Sequence, residues 1–167
     1  MNHMGSLREV FTFPHPVNEY AARTVAGMVA ILAVLTISLD LGWMLPVLLY
    51  GFIARVLTGP TLSPLGLLAT RVLVPVLKMP EKTVAGPPKQ FAQAVGLIFT
   101  ASATVLYFGF GSAFLAYSVL GVLVVFALLE AVVSFCAGCF VFGQLMRIGL
   151  IREETCQKCA NLSFGGA

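Results

Sequence analysis

No residue between Arg23 and Asp40 is charged, and none between Asp40 and Arg55. With the apolar flanks Ala21, Ala22 and Val56, each run approaches the roughly 20 residues that cross a bilayer. The pattern predicts spans over 20–39 and 43–57, provided that Arg23 and Arg55 snorkel. The segment LDLGW (39–43) is the turn between them, with Gly42 as breaker and Trp43 as an interface anchor. Pro46 falls early in the second helix, where a missing N–H costs least.

TGPTLSPLG (58–66) then interrupts the apolar pattern, and Ser63 before Pro64 is a helix-start signature. The stretch that follows is too short to span and carries Arg71 and Pro75, which predicts an interfacial helix over 64–77. A polar, proline-rich loop runs over 78–89. From Gln90 to Leu129 there is again no charge, and YFGFGSAF (107–114) divides this run into spans at 91–108 and 114–135. The last helix has no evident stop before Arg147, which gives 34 residues. That is about 50 Å at 1.5 Å per residue, against a hydrocarbon core of about 30 Å. Its end must therefore leave the bilayer, bend, or lie against protein.

Composition fits this pattern. The 167 residues are 59% hydrophobic and 10% charged, where a soluble domain carries roughly 25% charged residues. The expectation is a single all-α integral membrane domain: four transmembrane helices as two hairpins, with an interfacial helix between them and a cysteine-bearing tail over 147–167. No secretory signal is legible, because Arg8, Glu9, Pro14 and Pro16 precede the first apolar run. All ten Lys and Arg lie in the N-terminal segment through Arg23, between 55 and 89, or from Arg147 onward. The positive-inside rule then places both termini and the central connection in the cytoplasm, with the chain multi-pass in the cell (inner) membrane.

A short internal repeat accompanies the hairpins. PVNEYA (16–21) and PPKQFA (87–92) share Pro-x-x-Glu/Gln-aromatic-Ala at an offset of 71, each just before a span. Both hairpins start on the same side, so the repeat is parallel rather than inverted. Within PVNEYAAR, Asn18 is a candidate cap for the first helix, and Glu19 a partner for Arg23 at i, i+4.

Taken together, FTFPHPVNEYAARTVAG, LTGPTLSPLG, GPPKQFAQAVG and LEAVVSFCAGCFVF resemble a family of small bacterial and archaeal membrane proteins catalogued as a domain of unknown function. The similarity runs roughly from Phe11 to Cys159. The resemblance implies a four-helix membrane domain with a C-x-x-C closing the last helix. It also implies a loose association with thioredoxin-like and sulfurtransferase proteins as partners.

The candidate chemistry lies in the cysteines. Cys136 and Cys139 form one C-x-x-C, and Cys156 and Cys159 form another after the charges return. On a continuous helix the first two thiols would share a face, and Arg147 would project from nearly the same side. The carboxyl end of the helix dipole would oppose a thiolate there. The full spacing, C-x2-C-x16-C-x2-C, is that of a zinc ribbon. In a reducing cytoplasm stable disulfides are rare, which leaves three readings: a disulfide or persulfide relay, a four-thiolate zinc or iron–sulfur staple, or small buried cysteines with an incidental tail pair. Glu130 lies deep in the last span. Intramembrane carboxylates often mark a proton or ion path, and the plainer reading is a neutral, hydrogen-bonded Glu.

Three functions follow. The first is a membrane-embedded thiol protein of a redox or sulfur-handling pathway, with Cys136/Cys139 and Cys156/Cys159 as the reactive pairs. The second is a metal-stapled scaffold or accessory subunit of a larger membrane complex, or a homo-oligomer. The third is a small transporter of a soft ion or sulfur species using Glu130. His3 and His15 both precede the first span, so haem has no axial histidine within the membrane. The basic residues read as a topology signal, which leaves no nucleic-acid site. No catalytic Ser/His/Asp set, P-loop or dinucleotide motif is present.

Overall fold

The computed structural model describes residues 17–78, 82–84 and 86–149. The terminal segments lie outside this range, Cys156 and Cys159 among them. The described chain is almost wholly helical: α1 Glu19–Ser38, α2 Met44–Thr58, α3 Pro64–Val76, α4 Gly86–Phe108, α5 Ala113–Val133 and α6 Ala137–Arg147. A two-residue antiparallel clip pairs β1 (Val17–Asn18) with β2 (Thr83–Val84), tying the start of the first hairpin to that of the second. Helices α1, α4 and α5 are long and apolar enough to cross a bilayer, whereas α2 has 15 residues.

Side-chain caps set several of these ends. The Asn18 side chain accepts the Tyr20 amide at 3.0 Å. Ser63 accepts the Gly66 amide at 3.3 Å, and Pro64 follows as the first residue of α3. A π-helical turn over Ala69–Leu73 interrupts α3. Asp40 takes a left-handed conformation (φ 51) in the first hairpin turn, where Tyr117 of the second hairpin donates to its carboxylate.

Many large apolar side chains face outward, and small ones make up much of the interior beside Leu45, Phe52 and Leu120. Phe110, Phe114 and Val132 are among the exposed residues, while Ala33, Ala103 and Ala116 are fully buried. Lipid tails give apolar side chains no reason to hide, so membrane helices associate through small residues that let backbones approach. The buried hydroxyls are satisfied within their own helices: Thr36 donates to Leu32 O, Thr58 to Ala54 O and Thr100 to Gly96 O.

The first hairpin packs on the second rather than on itself, while α4 and α5 of the second also pack together. Helix α1 packs against α5, and α2 against α4, whereas α1 and α2 scarcely touch. Each hairpin is also followed by a short helix that returns to the hairpin's first helix: α3 to α1, and α6 to α4. Both short helices open with a side chain that accepts an amide three residues on, Ser63 in one and Cys136 in the other.

Candidate functional site

The long last helix expected from the sequence is two helices. Helix α5 ends at Val133, where Ser134 adopts a left-handed conformation (φ 60) and the Phe135 amide bonds back to Leu129 O at 3.2 Å. The left-handed residue that closes a helix is usually glycine; here it is serine. The carbonyls left over are taken by Arg23, whose guanidinium donates to Ala131 O (2.9 and 3.2 Å) and Val132 O (3.2 Å). Glu19 does not pair with Arg23; it pairs with Lys82 at 2.9 Å. After the turn Cys136 is extended and serves as the N-cap of α6.

This turn reverses the electrostatic expectation for the thiols. Cys136 Sγ accepts the backbone amide of Cys139 at 3.3 Å, at the positive end of α6 rather than the negative end of α5. A hydrogen bond from the Cys139 side chain pulls the Cys136 thiol below its ordinary pKa, with help from Lys89; burial and Glu130 act against it. The same bond, together with burial, pushes Cys139 far up. The two thiols are thus unlike: Cys136 is drawn toward the thiolate and Cys139 is held protonated. Helix α6 approaches α4 closely because residue 138 is glycine: a Cβ there would lie 2.6 Å from Ala92 Cα.

Glu130 is not isolated. It forms a 2.6 Å ion pair with Lys89, both side chains being nearly buried, and its charge also reaches Arg55 and Cys136. On a continuous helix Glu130 would point away from the cysteines; the turn at Ser134 brings Cys136 round to its side. Lys89 is therefore the cation at the thiols. Arg147 is exposed in the last turn of α6.

Arg55, 4% exposed, is the second buried cation. Its Nε donates to Gln93 Oε1 at 2.9 Å and its Nη1 to Ser63 Oγ at 3.3 Å, and its guanidinium sits 4.3 Å over the Phe52 ring. Two cavities meet at Val25, Arg55 and Gln93. One, of about 130 Å³, also reaches Glu130 and Cys136. The other, of about 190 Å³, also reaches Asn18, Thr70 and Lys89.

Sequence reading placed Lys89 in a loop and Arg55 at an interface, and passed over Gln93. One signal was available. A carboxylate at membrane depth needs a partner, and Arg55 and Lys89 are cations bordering uncharged runs. Among the described residues no three of His, Cys, Asp and Glu come together. A four-thiolate metal centre draws two of its ligands, Cys156 and Cys159, from outside those residues, and Cys136 and Cys139 are free thiols linked by the hydrogen bond from the Cys139 amide to Cys136 Sγ.

These features define a helical protein of membrane type, with a capped, asymmetric C-x-x-C beside a buried charge cluster. Over residues 17–147 the chain matches the family described as "Domain of unknown function (DUF4395)", and it belongs to that family. No curated protein and no solved structure matches it.

Proposed function

We propose that this is a membrane-embedded thiol protein that exchanges disulfide or sulfane sulfur, with Cys136 as nucleophile and Cys139 as resolving thiol. The observation that carries this reading is the N-cap position of Cys136, whose sulfur accepts the Cys139 amide. In the first step the Cys136 thiolate attacks a sulfur of a partner disulfide. A new S–S bond forms, and the released partner thiolate keeps the electron pair of the broken bond. Cys139 then gives up its proton and attacks Cys136 Sγ. The second partner thiolate leaves, so the partner is reduced by two electrons and the pair is oxidised. Cys156 and Cys159 are the proposed exchange partner in the tail, and a thioredoxin-like or sulfurtransferase protein the soluble one.

The proposed setting is four spans, with both termini in the cytoplasm. At 15 residues, α2 is about 22 Å long, so it spans only where the bilayer thins or flanking side chains snorkel. The distribution of Lys and Arg supports the orientation.

The test is alkylation of the purified protein across pH, read site by site by mass spectrometry. Cys136 is expected to react with a midpoint below the ordinary thiol value, and Cys139 to stay unreactive until far higher pH. Mild oxidation is expected to give a Cys136–Cys139 disulfide that a dithiol reverses. Two cysteines titrating together at the ordinary value, or a pair that does not oxidise reversibly, would sink the proposal.

A further inference from the structure

Among the described residues the interior charge does not balance. Arg55 and Lys89 are 4% and 8% exposed, and among the described residues Glu130 is the one carboxylate in electrostatic reach of both. Glu19, the other buried acid among the described residues, is engaged by Lys82. Arg23 and Arg71 do not line either cavity. A buried charge left uncompensated is costly, so the cluster calls for one more negative charge.

The larger cavity is where such a charge would meet both cations. It is reached by both cations and by no carboxylate among the described residues. The free donors point the same way. Arg55 spends Nε and Nη1 on Gln93 and Ser63, and Nη2 makes no hydrogen bond among the described residues. Gln93 and Asn18, which both line the cavity, each use the side-chain oxygen as an acceptor, from Arg55 and from Tyr20, and their amide NH2 groups have no hydrogen-bond partner among the described residues. Thr70 is committed to Gly66 O at 2.8 Å. A volume of about 190 Å³ is well above the roughly 10–15 Å³ of such space that one water needs, and is enough for one small polyatomic anion. The planar guanidinium fork suits paired oxygens better than a single-atom anion.

We infer that this cavity binds a small oxyanion of the sulfate or phosphate type, held by Arg55, Lys89 and the Gln93 and Asn18 amides, next to the chamber that contains Cys136. The site does not depend on thiol chemistry. It does couple to it: a negative charge at Arg55 competes with a Cys136 thiolate as counter-charge to the same cations.

The probe is radiolabelled sulfate, with equilibrium binding measured on the purified full chain in a neutral detergent at constant ionic strength. Saturable binding of about one sulfate per chain is expected. It should fall at least tenfold in Arg55→Gln, weaken in Gln93→Ala, and persist in Lys82→Gln and Cys136→Ser. Persistence in Cys136→Ser keeps this result separate from the fate of the thiol proposal. Sulfate should also slow Cys136 alkylation at fixed pH in the wild-type protein, a readout that needs no variant to fold. A phospholipid headgroup presents the same chemistry. If that is the source, sulfate binds only after delipidation, and Arg55→Gln co-purifies with one phosphate fewer per chain. The inference is overturned if neither sulfate nor lipid phosphate is bound in wild type. It is equally overturned if Arg55→Gln, or Arg55→Lys should the former not fold, binds sulfate as well as wild type while alkylation is indifferent to the anion.

Discussion

Lys89 and Glu130 act on Cys136 in opposite directions, and that opposition can be tested. Lys89 favours the thiolate and Glu130 disfavours it. Lys89→Gln should move the pH midpoint of Cys136 alkylation up, and Glu130→Gln should move it down, so that at a fixed pH below the midpoint the second variant labels faster. Cys139→Ala removes the strongest thiolate-stabilising contact and should raise the midpoint furthest. If all three variants move it the same way, the geometry around the sulfur is other than described. The same pair bears on stability. Removing one member of a nearly buried ion pair typically costs about 3–5 kcal/mol. Lys89→Met and Glu130→Leu should each destabilise on that order, while the double variant costs well under their sum, as a double-mutant cycle in denaturant would measure.

The element that decides the site is the turn between α5 and α6. Ser134 holds a left-handed conformation (φ 60) that glycine adopts without penalty. Ser134→Gly should leave stability unchanged or slightly raised. Ser134→Val should cost about 1–3 kcal/mol and bring the Cys136 alkylation midpoint back toward the ordinary thiol value. The contrast with other helix ends shows what the sequence reveals. Asn18 and the Ser63–Pro64 pair are starts that capping preferences identify, and both cap as expected. The length of the last apolar stretch requires a bend, yet its position is hidden. Serine is not the usual left-handed cap, cysteine is not among the usual N-cap residues, and no proline marks the break. Arg23, which takes the carbonyls exposed there, lies more than a hundred residues away. No local pattern could supply it.

At the scale of the molecule, the apolar runs show three helices of spanning length because the membrane imposes length and hydropathy directly on sequence. Pairing is less legible. Which helix faces which depends on small residues such as Ala33 and Ala116, whose burial carries no hydropathy signal. The charge cluster stayed hidden for the same reason, since Arg55, Lys89 and Glu130 come from three helices. The orientation proposed from Lys and Arg predicts that a single cysteine placed at Gly111, in a background without native cysteines, labels from outside the cell. One placed at Lys82 should label only after lysis.

The packing of the first hairpin on the second makes the chain a fusion of two unlike half-molecules. Since α1 leans on α5 and α2 on α4, neither arm of the first hairpin has its main neighbour within its own half. Arg55 comes from one half, and Lys89 and Glu130 from the other. Where the first half caps its short helix with the hydroxyl of Ser63, the second uses the thiol of Cys136. A chain ending at Lys78 would therefore strand a buried cation among unmatched alanine faces and should be degraded when expressed alone. Supplied in trans, the remainder should rescue it, and the two fragments should co-purify as one complex. The division of labour makes the halves obligate to each other: one brings the guanidinium, the other the sulfur, and neither makes a site alone.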